Sequence, residues 1–249
     1  MTECKFLSTG DVPQGTPCSG SKSDYEVENI TVQSRPRFEN TVIIFDWDDT
    51  LLASSWLASQ GFRLDSLVPR EAVDQLKMLE TAVVNLLSKA FLFGEVHLVT
   101  NGETGWVEMS AEKFLPRVCE LLPRVNIVSA RSTYQNRFPD SPETWKVEAF
   151  RNTLHESFDN KMEVESKCYN KSVQIRNLIS FGDSMHERNA LKHVTSDMSN
   201  TYCKSIKFVE RPTLEQLERQ LKIISGSFEY VCTHGGNLDL MLVVEMLCN

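Results

Sequence analysis

The sequence predicts an α/β fold in which a mostly parallel central sheet lies between two layers of helices. Three observations lead there. Short runs of wholly apolar residues recur along the chain, with TVIIF at Thr41–Phe45 the clearest. Continuous rather than alternating apolarity suits a strand covered on both faces, as the strands of a parallel sheet are. Between these runs lie longer stretches with apolar residues at helical spacing, and strands alternating with helices imply crossover connections in a parallel sheet. With 249 residues, 41% of them hydrophobic, the chain can bury one large core of this kind.

Residues 1–38 are rich in Ser, Thr, Gly, Pro and Asp and show neither helical nor strand periodicity. They read as a mobile or loosely attached extension, leaving 39–249 as the α/β domain. Thr41–Phe45 is the first strand. From Glu71 to Phe91, the positions Ala72, Leu76, Leu79, Val83, Leu86 and Ala90 mark one face of a helix. Val96–Val99 is a second strand. Helical pattern around Ala111–Leu122 meets Pro116, which kinks or restarts it. Val125–Val128 is a third strand. Ser141-Pro142 reads as an N-cap with proline at the first helical position, opening a helix to about Phe158. Residues 159–173 are polar and irregular. Ile175–Phe181 and Ser205–Val209 are the fourth and fifth strands, and Thr213 with Gln216 fits a capping box opening a helix to about Tyr230. Leu238–Leu247 is apolar but too short for a membrane span, and it carries Asp239 and Glu245.

The formal net charge of -8 disfavours nucleic acid and anionic lipid as partners. Seven cysteines, odd in number, widely spaced and without a CxxC pair, argue against a disulfide framework or zinc site. The N-terminus lacks a basic segment followed by an apolar core. These features lead to the expectation of a soluble, cytoplasmic protein.

In doubly wound sheets ligands sit beyond the C-terminal strand ends, so chemistry is sought there. The first strand runs into Asp46-Trp47-Asp48-Asp49-Thr50, the second into Thr100-Asn101-Gly102, and the fourth into Gly182-Asp183-Ser184 followed by Glu187; Lys146 stands early in the helix after the third. Carboxylates at the tip of a buried strand are costly unless neutralised, and Mg²⁺ takes oxygen ligands of this type. An acidic cluster, a hydroxyl and an ammonium suit phosphoryl transfer.

The ordered set (apolar strand–DxDxT, apolar strand–Thr, Lys, apolar strand–GDSxxE) resembles the haloacid dehalogenase superfamily. The motifs span Thr41–Glu187. The resemblance implies a Rossmann-like three-layer sandwich and a Mg²⁺-dependent phosphatase. In it Asp46 is the nucleophile and Asp48 the general acid and then base. Thr100 and Lys146 hold phosphate oxygens. Asp46, the Asp48 carbonyl and Asp183 hold Mg²⁺, with Glu187 binding it directly or through water. Glu187 has a second reading, because Ser184-Met185-His186-Glu187 is itself a capping box. Asp49 stands where glycine is common in the superfamily. Trp47 is a candidate for shaping substrate selection, Asn101 either touches phosphate or only makes a turn with Gly102, and Trp106 carries no signal.

Neither inter-motif segment is long enough for a folded cap domain. An open site is expected, covered only by a loop around Ala53–Leu67 with Trp56 and Phe62 as a small flap. In that superfamily open sites tend either to accept macromolecular substrates or to borrow a lid from another subunit, so the expected partner is a phosphorylated substrate that an uncapped site allows to be macromolecular. The rival expectations are a catalytically inactive module of the same fold that binds or scaffolds a partner, and a C–X hydrolase, which has less use for Asp48 and Asp183.

Overall fold

The computed structural model describes residues 2–8, 38–165 and 175–246. Its strands are β1 (Thr2–Ser8), β2 (Thr41–Phe45), β3 (Glu95–Thr100), β4 (Asn126–Ser129), β5 (Arg176–Gly182), β6 (Thr201–Lys207) and β7 (Leu238–Met246). Its helices are α1 (Ser54–Ser59), α2 (Arg70–Ala90), α3 (Trp106–Phe114), α4 (Ala130–Tyr134), α5 (Pro142–Glu165), α6 (Met185–Thr195) and α7 (Leu214–Thr233). The strands form one sheet in the order β1-β7-β6-β5-β2-β3-β4. The six strands from β7 to β4 are parallel, and β1 adds to β7 antiparallel. The fold is therefore α/β with a parallel central sheet, as expected.

Strand β2 shows why the apolar run is continuous. Ile43 and Phe45 belong to the core shared with α2, α3 and α7, whereas Val42 and Ile44 belong to the core shared with α5 and α6. Alternate side chains leave opposite faces of a strand, so a strand between two helical layers has no polar face to show.

Two expectations need correction. Thr2–Ser8 is an edge strand, with Thr2 opposite Met246, where the sequence predicted a loosely attached extension; residues 9–37 lie outside the described residues. A strand paired along one side needs no continuous apolar run, so the pattern sought for buried strands misses it. Leu238–Met246 is the strand it joins, and its apolar stretch is a sheet element. Helix α5 extends to Glu165, so 159–165 is helical and not irregular, and 166–173 lies outside the described residues. Polar composition does not exclude a solvated helix.

Pro116 restarts the chain. Helix α3 stops at Phe114, Leu115 leaves helical conformation at φ -139°, and Pro116–Glu120 forms a 3₁₀ turn. A residue before proline is pushed out of the α region by the pyrrolidine ring. Both predicted caps at α6 and α7 are present with their reciprocal hydrogen bonds.

Lys204 in β6 is fully buried, and its ammonium donates to the carbonyls of Val231 at 2.8 Å and Cys232 at 3.1 Å, in the last turn of α7. Burial pushes it down to about 8. A lysine that holds fewer protons folded than unfolded makes stability rise with pH between the folded and unfolded values. The stability of the chain relative to Lys204→Met should therefore increase between pH 8 and about 10.5, by about 3 kcal/mol. Urea unfolding of the two proteins across that range checks it, and a constant difference refutes it.

Among the described residues no helix is long and apolar enough to cross a membrane, and Cys119, Cys203 and Cys232 are free thiols.

Candidate active site

The chain winds outward from β2 through β3 to β4, then returns to β2's other side with β5 and continues to β6 and β7. The order reverses between β2 and β5, and at such a switch point the loops beyond the strand ends diverge and leave a crevice. Phe45 pairs with Phe181 in register, and the Asp46 amide donates to the Phe181 carbonyl at 2.9 Å. Beneath that edge the Phe45 and Phe181 rings stack at 4.7 Å, and Phe181 stacks on Phe228 of α7 at 5.7 Å. The two predicted acidic motifs therefore rise side by side from an aromatic floor.

Lys146 of α5 crosses to them. Its ammonium is 2.5 Å from Asp46 Oδ1, 2.9 Å from Glu187 Oε1 and 2.5 Å from the Val99 carbonyl. All three side chains are buried. Burial raises Asp46 well above the usual carboxylate range; Lys146 opposes the rise, while Glu187 and Asp48 add to it. Burial alone would lower Lys146, but the two carboxylates outweigh it and hold the lysine charged. Burial also works to raise Glu187, but Lys146 and the Ser184 hydroxyl prevail and lower it.

Of the two readings its sequence allowed, the structure shows Glu187 as the helix cap, and adds an ion pair to Lys146. Oε2 accepts from the Ser184 amide at 3.2 Å and hydroxyl at 2.6 Å, completing the cap of α6, while Oε1 meets Lys146. Gly182 makes room for this arrangement, because a Cβ there would lie 2.4 Å from Glu187 Cγ and 2.7 Å from Oε2. Gly182→Ala should therefore cost about 1–3 kcal/mol, the usual range for overpacking. Urea unfolding measures it, and an unchanged midpoint would show that Glu187 moves aside freely.

Asp48 is held by a residue the sequence did not mark. Trp106, at the start of α3, donates its indole N–H to both Asp48 oxygens, at 3.0 and 3.2 Å. Gly102 permits this, since a Cβ would lie 2.5 Å from Trp106 Cδ1. The only local signal was the pair of glycines preceding the tryptophan in NGETGW. Burial raises Asp48 above its ordinary value, against the hydrogen bonds from Trp106 and Ser54. Thr100 Oγ1 accepts from the Gly102 amide at 2.8 Å and lies 3.4 Å from Asp48 Oδ2.

Asp49 explains its departure from glycine. Its φ is 54°, in the left-handed region that glycine favours and that aspartate tolerates better than most residues. Its carboxylate accepts from the Ser55 amide at 2.9 Å and from the Ser55 hydroxyl, satisfying the start of α1. Glycine could not supply that acceptor. Trp47 is fully buried and donates to Ser110 Oγ at 2.9 Å, so it anchors α3 and does not face a substrate. Trp56 and Phe62 meet edge to face at 5.9 Å and pack on the main core. Asn101 reaches the Pro142 carbonyl at 3.4 Å.

The Asp183 carbonyl accepts from Lys207 at 2.7 Å, another contact without a sequence signal. Its carboxyl group is pushed up to about 7, first by burial and then by Glu187 and Asp49. Among the described residues no three His, Cys, Asp or Glu side chains gather as a metal-binding group. The ligand set implied by the resemblance combines two side-chain carboxylates, Asp46 and Asp183, with the Asp48 main-chain carbonyl. Burial is the first cause of the raised values of Asp46, Asp48 and Asp183, and hard oxygen donors in such surroundings fit a divalent cation.

The structure thus brings Asp46, Asp48, Thr100, Lys146, Asp183 and Glu187 to one sheet edge. Comparisons with protein-family models, curated proteins and solved structures found no match.

Proposed function

We propose that the chain is a Mg²⁺-dependent phosphomonoester hydrolase of haloacid dehalogenase type with Asp46 as nucleophile. The observation that carries this reading is the meeting of Asp46 with Lys146 beside a separately held carboxyl group, Asp48. Lys146 takes Oδ1 of Asp46, leaving Oδ2 to attack phosphorus. As that bond forms, the bond to the leaving oxygen breaks, and the Asp48 carboxyl gives that oxygen its proton. Asp48, now a carboxylate, then accepts a proton from water, whose oxygen attacks the aspartyl-phosphate and releases phosphate and the Asp46 carboxylate. The raised Asp48 suits the first step, since a general acid must hold its proton near working pH. Trp106 keeps both Asp48 oxygens in place through each transfer. Asp46, the Asp48 carbonyl and Asp183 would hold Mg²⁺, which when bound would offset phosphate charge.

Between the first motif and α2 there is only the short helix α1 with turns. That suits an open site and a phosphorylated macromolecule as substrate. The second reading, an inactive binding module, draws on the Lys146 contacts, which already neutralise Asp46 and Glu187. Phosphate release from an aryl phosphate, with Mg²⁺ and with chelator, separates the two. The proposal expects release that Mg²⁺ supports and Asp46→Asn removes. Equal release by both proteins, or none, overturns it.

A further inference from the structure

We propose that the outer edge of β4 is a docking slot for an extended segment of a partner protein carrying lysine or arginine side chains. The inference does not depend on the hydrolase reading. Strand β4 ends the sheet, and among the described residues no strand pairs with its outer side. A terminal strand presents main-chain N–H and C=O groups to any extended chain laid beside it, and that is how strand addition recognises peptides.

A cavity of about 320 Å³ runs along this edge. It is lined by Ile127 and Val128 of β4, Glu108 of α3, and Thr153 and Glu156 of α5, and it reaches Thr100 at the end of β3. It is too small for a folded element.

Two independent features indicate what fills it. Thr153 is only 2% exposed, yet its hydroxyl has no hydrogen-bond partner, although it lines the cavity. A buried hydroxyl without a partner carries a desolvation cost that an incoming polar group would relieve. Every charged side chain lining the cavity is a glutamate: Glu103, Glu108 and Glu156. Arg131 approaches Glu103 at 3.7 Å from outside the lining, and both are well exposed, so the contact is weak. A negative slot beside a strand edge that is unpaired among the described residues selects a cationic extended chain.

The test is calorimetric titration of the full chain with a capped octapeptide of alternating lysine and threonine. Controls are its glutamate–threonine counterpart, the lysine peptide N-methylated at alternate residues, and spermine. The expectation is saturable binding of the lysine peptide, with loss of the heat for the glutamate peptide. Affinity should fall by about tenfold or more for the N-methylated peptide and for Glu108→Gln/Glu156→Gln, and by about threefold or more for Thr153→Val. Each variant is first shown to unfold at the wild-type urea midpoint. No saturation by about 1 mM overturns the proposal. So does equal binding of the N-methylated peptide, which would mean that main-chain pairing is not involved. Equal binding of spermine would make the slot a small-cation site, and self-association through β4 would make it an interface between copies.

Discussion

Asp46→Asn is expected to lower phosphate release from an aryl phosphate by about 10³-fold or more while leaving the chain folded. An amide is not a nucleophile toward phosphorus, and losing the attacking group of a covalent mechanism usually costs at least that much. The fold should tolerate the change. Asparagine has nearly the shape of aspartate, and Lys146 keeps its contacts with Glu187 and the Val99 carbonyl. Burial already works against the Asp46 charge, so removing it relieves part of the cost of the site. The unfolding free energy from urea titration should stay within about 1 kcal/mol of wild type or rise. Retention of more than about a tenth of the activity would mean that another group attacks, and the proposed chemistry would fail.

Lys146→Met should produce the largest loss of stability, about 3–5 kcal/mol. Removing one partner of a buried ion pair leaves the other charge uncompensated, and here two carboxylates, Asp46 and Glu187, lose the same ammonium. Total stabilities of about 5–15 kcal/mol make this a large fraction of what holds the chain folded. Restoring part of the balance tests the cause: in Lys146→Met/Glu187→Gln the deficit should shrink, because one stranded charge is gone. If single and double variants unfold at the same urea concentration, the loss comes from packing of the lysine stem and not from charge.

Much of the site was legible because its residues follow buried strands. A run such as TVIIF suits a strand between two helical layers, and the polar residue that ends such a strand emerges at the sheet edge, so Asp46 and Asp183 could be placed from local pattern. Lys146 was legible as a site residue only through its order among the motifs, the Ser141-Pro142 helix start placing it early in α5. What escaped was contact across sequence. Trp106 reaches Asp48 over a turn shaped by two glycines, and Lys207 reaches the Asp183 carbonyl from the neighbouring strand. Neither residue type announces such a task, and only tertiary geometry selects it. The outer strands escaped for another reason. Thr2–Ser8 lacks the double-sided apolarity used to recognise strands, and Leu238–Met246 has it without a following helix to confirm it.

The antiparallel pairing of β1 with β7 also sets an order of assembly. Thr2 lies opposite Met246, so segments near the two extremes of the described chain meet at one border of the sheet. Contacts between such distant segments carry the largest loop-closure penalty and are favoured only after the intervening chain has condensed. The earliest segment in the sequence would thus be the last to settle, waiting for a partner strand that itself needs β6 in place.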